Sequence, residues 1–267
     1  MARVIAIANQ KGGVGKTTTA INLGASLAVA ERRTLVIDID PQGNATSGLG
    51  VEKSDALPTI YDVLVEGRPA RDCVISQLHF PTLALLPSTR DLVGAEIELI
   101  DRPARERILR KALEPLRDEY DIILVDCPPS LGLLTLNTLT AADSVLIPIQ
   151  CEFYALEGLS QLLNTVRLVQ RQLNPGLEIE GVLLTMFDKR LNLSKQVSEE
   201  AREYFGPRVF QSTIPRNVRL AEAPSFGQPI VTYDVLSAGA QSYLALAQEL
   251  LARDRGRAAE ALPEKQA

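Results

Sequence analysis

Residues 9–18 read Asn9-Gln10-Lys11-Gly12-Gly13-Val14-Gly15-Lys16-Thr17-Thr18, directly after an apolar run at 4–8 and at the head of a helical pattern over 16–30. Polyphosphate binding needs such a segment. Glycines let successive backbone N–H groups turn inward onto phosphate oxygens, and the helix N-terminus adds the positive end of its dipole. Lys16 is then placed to reach the β- and γ-phosphates, and the Thr17 hydroxyl to bind Mg²⁺. Gly12, Gly13, Val14, Gly15 and Thr18 complete the cradle. The strand–loop–helix setting and the terminal Gly15-Lys16-Thr17 set it apart from a merely structural glycine turn.

Outward from this loop, short apolar runs alternate with longer amphipathic stretches, the βαβ pattern of a parallel sheet covered on both faces. The spacing predicts strands over 34–39, 83–86, 122–125, 145–149 and 182–186. It predicts helices over 59–65, 157–173, 195–205 and 240–252, and a charged helical stretch over 95–120 that Pro103 and Pro115 break. The expected fold is an α/β three-layer sandwich with a mostly parallel central sheet. Residues 1–253 form one domain, and the charged, Ala-rich residues 254–267 are expected to be disordered.

Two acidic sites complete the chemistry. An apolar strand ends in Asp126, followed by Cys127-Pro128-Pro129, and a strand-end carboxylate beside the phosphate loop suits a Mg²⁺ ligand. Asp38 and Asp40 lie at the C-terminal edge of the second strand, the edge where open α/β sheets place their ligands. Asp40 is read as the residue that orients the attacking water. Asp38 is read as an inward structural carboxylate or a member of the Mg²⁺ shell. Both could instead cap a turn.

The standard phosphate loop has glycine five residues before Gly15; here Gln10 stands there, followed by a second lysine, Lys11. This version resembles the deviant Walker A loop of the ParA/MinD class of P-loop NTPases. Asp40-Pro41-Gln42-Gly43-Asn44, Asp126-Cys127-Pro128-Pro129-Ser130, Gln150-Cys151-Glu152 and Ile214-Pro215-Arg216-Asn217-Val218-Arg219 extend the likeness to ParA/Soj partitioning ATPases, from about Arg3 to Leu251. The resemblance implies ATP and Mg²⁺ as cofactors, with Pro215 and Asn217 against the adenine. It implies that Lys11 reaches the nucleotide of a second subunit in an ATP-dependent homodimer. A further implication is nonspecific binding of double-stranded DNA, with hydrolysis stimulated by a ParB-type centromere-binding partner. Lys11, Lys16 and Asp40 are the expected catalytic residues.

Composition narrows the alternatives. Three cysteines without CxxC spacing argue against a disulfide framework or zinc knuckle and suit a reducing cytosol. Cys127 and Cys151 read as small buried hydrophobes, which weighs against an iron–sulfur carrier or nitrogenase-reductase relative. His79, the one histidine, reads as a solvated loop residue. Only Leu262 among residues 254–267 is a large aliphatic, so a membrane-associated MinD-type function is disfavoured, and a cytoplasmic, nucleoid-associated location is expected. With the first strand expected to begin at Arg3, no N-terminal helix-turn-helix, and so no operator-specific binding, is expected. A net charge of −5 is the wrong sign for a nucleic-acid binder, so DNA contact requires a local patch. Between Met186 and Leu220 the balance is +3, with Lys189, Arg190, Arg216 and Arg219 the candidate phosphate contacts.

Overall fold

The structure, a computed structural model, describes residues 1–54, 56–152 and 157–260, and only the backbone of 157, 158 and 257–260. Its strands are β1 (Arg3–Ile7), β2 (Thr34–Asp38), β3 (Leu83–Leu86), β4 (Ile122–Asp126), β5 (Ser144–Gln150), β6 (Glu178–Phe187) and β7 (Val209–Pro215). They form one sheet in the order β3-β2-β4-β1-β5-β6-β7, every pairing parallel. The helices are α1 (Lys16–Val29), α2 (Asn44–Gly48), α3 (Leu92–Glu98), α4 (Ile108–Leu113) and α5 (Leu133–Ala141). After these come α6 (Glu157–Gln172), α7 (Asn192–Phe205), α8 (Val218–Glu222), α9 (Ile230–Tyr233) and α10 (Ala238–Glu260).

A strand's period of two sends alternate side chains to opposite faces, and because both faces are covered here the strands read as unbroken apolar runs. Ile5, Ile7, Ile122 and Leu124 join α1 residues Ile21, Leu23 and Leu27, and Tyr243 and Leu246 of α10, in one core layer. Val4, Ala6, Ile123 and Val125 point the other way, into the layer built with Leu109, Leu134 and Leu162. Each fully buried Leu or Ile contributes roughly 1.5–3 kcal/mol by leaving water. The three-layer sandwich expected from the sequence is what forms.

Several segments depart from expectation. Residues 59–65 give a single π-helical turn, Asp62–Glu66. The stretch over 95–120, by contrast, is broken as expected, into α3, α4 and short 3₁₀ turns; Pro103 falls in a connection and Pro115 in the first turn of the last 3₁₀ segment. The largest correction is at the C-terminus. Rather than fraying after Arg253, α10 continues to Glu260. The helix is anchored around residue 253: the Arg253 guanidinium lies 4.1 Å from the Phe210 ring centroid and donates to the Val209 carbonyl, and Asp254 pairs with Arg3. Residues 261–267, with Leu262, lie outside the described residues. His79 is an exposed loop residue, as expected, and its Nε2 lies 2.9 Å from the Leu49 carbonyl.

Candidate nucleotide site

The phosphate loop joins β1 to α1 at the sheet's C-terminal edge. Gly13 (φ 73°) and Gly15 (φ 88°) are left-handed, which side-chain-bearing residues rarely adopt, so the loop turns where glycine allows it. Three braces hold it. Asn9 donates from Nδ2 to the Pro148 carbonyl at 2.7 Å, and its Oδ1 accepts the Lys11 N–H at 3.0 Å. Thr185 of β6 donates its hydroxyl to the Val14 carbonyl at 2.8 Å. Asn9 and Thr185 were not singled out from the sequence. Thr185 sits some 170 residues away inside an apolar strand, so nothing local marks it.

Lys16 opens α1 with only 7% of its surface exposed. Its ammonium donates to the Lys11 carbonyl at 3.3 Å. Burial pulls its pKa below the usual lysine range, offset in part by Asp126, Cys127 and Asp40. An anion at the loop would complete the charge balance that burial leaves open. Thr17 and Thr18 follow on the first turn.

β2 and β4 are neighbours, and their last residues, Asp38 and Asp126, sit opposite each other in register. Their environments differ. Asp38 is fully used: Oδ2 accepts from the Thr46 N–H and hydroxyl, both at 2.8 Å, and Oδ1 from the Asp40 N–H at 3.2 Å. Burial pushes its carboxyl up to about 6, and those hydrogen bonds pull against the rise. Of the two roles read for Asp38, the geometry supports the structural one. Asp40 accepts the Gln42 N–H on Oδ1 at 2.9 Å, a turn cap, while remaining near enough to Lys16 and Asp126 to act on both electrostatically.

Asp126 is the exception. It is completely buried, yet among the described residues neither carboxylate oxygen has a hydrogen-bond partner. Burial, then the neighbouring Asp38, holds its carboxyl well above the ordinary range; the nearby Thr17 hydroxyl opposes this without reaching hydrogen-bond geometry. A buried, unpartnered carboxylate beside a threonine hydroxyl and a phosphate loop has the donor set a hard divalent cation takes. Among the described residues no three His, Cys, Asp or Glu side chains converge to hold a metal by themselves. That suits Mg²⁺, which is ordinarily held by one or two carboxylates together with substrate phosphates and water. Asp126 and Thr17 would hold it, and it would neutralise charge on the phosphates.

A cleft of about 380 Å³ opens beside Gly15 and Thr18, and Pro215, Asn217, Met186 and Tyr243 help line it. Asn217 Oδ1 accepts the Leu220 N–H at 3.2 Å and so caps α8. The two residues expected against the adenine thus line the cleft that opens beside the phosphate loop. Met186, with φ 49°, was missed; a left-handed non-glycine residue at a cleft wall is a feature no sequence pattern reveals.

The basic candidates share a corner of the sheet, because β6 and β7 end in register at Phe187 and Pro215. Lys189 and Arg190 follow β6, and Arg216 and Arg219 follow β7. The arginines are not bare, however. Arg190 pairs with Asp188 at 2.7 Å, Arg216 with Glu152, and Arg219 with Glu222 at 3.0 Å and Asp234 at 3.5 Å. Three arginines thus pair with four carboxylates, three of which lie outside the 187–219 window in which the balance is +3. Cys73, Cys127 and Cys151 are free and buried, and burial pushes the Cys127 and Cys151 thiols up to about 12, as inert small hydrophobes behave.

A family model described as an AAA domain matches residues 2–179. The chain is 61% identical over 256 residues to the Myxococcus xanthus chromosome partitioning protein ParA, covering 94% of this chain and 89% of that one. It is 60% identical over 252 residues to the Bacillus subtilis sporulation initiation inhibitor protein Soj, covering 94% and 99%. Among solved structures it is similar to a Mycobacterium smegmatis protein described as cobyrinic acid a,c-diamide synthase, with bound ADP and magnesium. That match has a TM-score of 0.83 at 38% identity, over 96% of this chain and 97% of the other. The synthase description denotes another activity, but it sits on a much more distant match than the two partitioning proteins. With relatives this similar over nearly its whole length, the chain belongs to the ParA/Soj family and is a P-loop ATPase of DNA partitioning.

Proposed function

We propose that the chain is an ATP-driven switch. Its ATP-bound homodimer binds double-stranded DNA without sequence preference, and a ParB-type centromere-binding partner stimulates the hydrolysis that releases it. The protein works in the cytoplasm and rests on the nucleoid while ATP is bound. Lys16 and the loop N–H groups hold the β- and γ-phosphates, Asp126 and Thr17 the Mg²⁺, and Pro215 and Asn217 the base. Asp40 orients the attacking water. The observation that carries the dimer is the division of labour between two lysines. Lys16 is buried and folded back on the loop, whereas the half-buried Lys11 has no ion-pair partner among the described residues. A cation so placed is available to a phosphate on a second subunit, where it stabilises charge much as an arginine finger does.

Gly12 tests this arrangement. A Cβ built on it meets nothing within 4 Å, and its backbone is not left-handed, so a side chain fits within one subunit. Only a partner backbone pressed against the loop would meet it. Gly12→Val is therefore expected to bind ATP with near-normal affinity and to remain monomeric in light scattering. An ATP-dependent dimer of this variant refutes the face-to-face arrangement.

DNA contact is tested at the arginine corner. Arg190→Glu combined with Arg219→Glu should abolish ATP-dependent retention on duplex DNA while leaving ATP binding and dimerisation intact. In wild type, retention should weaken steeply with salt through counterion release. The converse change, Asp188→Asn, frees Arg190 from its pair and should strengthen binding severalfold at low salt. Retention and salt slope unchanged in the double reversal would place DNA elsewhere on the molecule.

A further inference from the structure

A second cleft, of about 710 Å³, lies on the sheet face covered by α4 and shares no lining residue with the nucleotide cleft. Its floor is aliphatic: Val63, Leu64, Ala70 and Leu116 are buried, and Ile108 and Ala112 half-buried. Its rim carries five exposed cations, Arg68, Arg71, Arg102, Arg107 and Lys111, against a single lining acid, Asp72. Arg71 is engaged by Glu119, and Arg102 donates to the Val65 carbonyl. Arg68, Arg107 and Lys111 have no ion-pair partner among the described residues. On a chain whose net charge is −5, a local excess of this sign above an apolar floor is not a solvated face of mixed charge.

The lining chemistry selects the occupant. Among the described residues no aromatic ring and no uncharged polar side chain lines the cleft, so none of them can stack on or read a nucleobase or sugar. A flat bilayer cannot reach a concave floor whose walls include Pro69, Pro103 and Pro115. What fits is a chain that sends aliphatic side chains down and carboxylates outward. Arginine suits that rim, because its planar fork binds carboxylates in bidentate fashion and it is weakly hydrated. We infer that this cleft docks an acidic, aliphatic-rich peptide segment of a partner protein, independently of the nucleotide and DNA sites.

The test is a selection from a random twelve-residue peptide library on the full-length protein. Enriched peptides are then resynthesised with a fluorophore for anisotropy titration. Peptides pairing Glu or Asp with Leu, Ile or Val should be enriched, and their binding should weaken as salt rises. Arg107→Glu with Lys111→Glu should weaken binding at least tenfold, as should Ala112→Trp, which fills the floor without altering charge. ATP hydrolysis and DNA retention should be unchanged in these variants. The milder pair Arg68→Ala with Lys111→Ala should show an intermediate loss, which guards against a folding defect in the reversal. The proposal is overturned if selection yields no acidic, aliphatic consensus, or if the variants bind the selected peptides like wild type. It is equally overturned if a Glu/Ser peptide of the same charge binds as tightly. Displacement of the peptide by phosphatidylglycerol vesicles or duplex DNA would assign the cleft to that ligand instead.

Discussion

Lys16→Ala is expected to lower ATP turnover 10²–10³-fold. The lysine ammonium is the buried cation of the phosphate loop, folded back onto the Lys11 carbonyl, and removing a preorganised donor from developing negative charge costs about 2–4 kcal/mol in the transition state. The loop would keep its N–H groups, since the braces from Asn9 and Thr185 do not involve Lys16. Alanine also suits the first turn of α1. The variant should fold normally, because it loses a partly desolvated charge that Asp126 and Asp40 compensate only in part. Phosphate release at saturating ATP, beside a nucleotide titration, separates the two effects. Turnover should fall more than affinity does, since charge on the transferring phosphoryl oxygens is greatest in the transition state. A variant that binds and hydrolyses ATP like wild type would remove Lys16 from the chemistry and the loop from its assigned role.

Why this loop can be read from sequence while other parts cannot is a matter of where the determining contacts lie. Gly13 and Gly15 are dictated by the backbone's own left-handed turns, so residue type alone marks them. The buried strands are marked by unbroken apolar runs, for the same local reason. β7 escaped because it is an edge strand with an exposed Gln211 and a half-buried Ser212 in its middle. Two of its N–H groups are satisfied by Glu249 of α10, at 2.8 and 2.9 Å, and a contact nearly forty residues off leaves no local trace. α5 escaped for another reason. Its sequence, Leu-Leu-Thr-Leu-Asn-Thr-Leu-Thr-Ala, interleaves its leucines with three β-branched threonines and an asparagine, all weaker helix formers, so it reads as neither a clear helix nor a clear strand. Packing overrides that propensity, and Thr138 and Thr140 return their hydroxyls to the Leu134 and Leu136 carbonyls. The arginine corner shows the same limit at the level of function. Glu152, Glu222 and Asp234 neutralise it from segments that any count over a contiguous window omits.

Asp126→Asn should have opposite effects on stability and on catalysis. Among the described residues nothing donates to either buried carboxylate oxygen, and the charged form is disfavoured by burial and by Asp38. A folded-state pKa above that of the unfolded chain means that folding takes up a proton in the interval between them. Stability then falls as pH rises from about 4, the ordinary aspartate value, toward the folded pKa. Asparagine has the same shape and no such term. Its advantage in EDTA should be small below pH 4 and grow with pH. Leaving a buried polar group unsatisfied costs about 1–3 kcal/mol, and more when it is charged. At roughly 2 °C per kcal/mol for a chain of this size, the gain in Tm at pH 8 should be about 2–6 °C. Adding Mg²⁺ and ADP should reverse the order, because a divalent cation satisfies the carboxylate in wild type and finds an amide in the variant. Metal affinity of the wild type should itself rise with pH, since cation and proton compete for the same oxygens. Hydrolysis by the variant should fall at least about 10²-fold, because Lewis-acid stabilisation of phosphoryl oxygens is worth several kcal/mol. Scanning calorimetry at pH 5 and 8, in EDTA and in Mg²⁺ with ADP, reads every arm of this expectation. If Asp126→Asn melts below wild type in EDTA at pH 8 and still hydrolyses ATP, the carboxylate supports the fold and the metal is held by other groups.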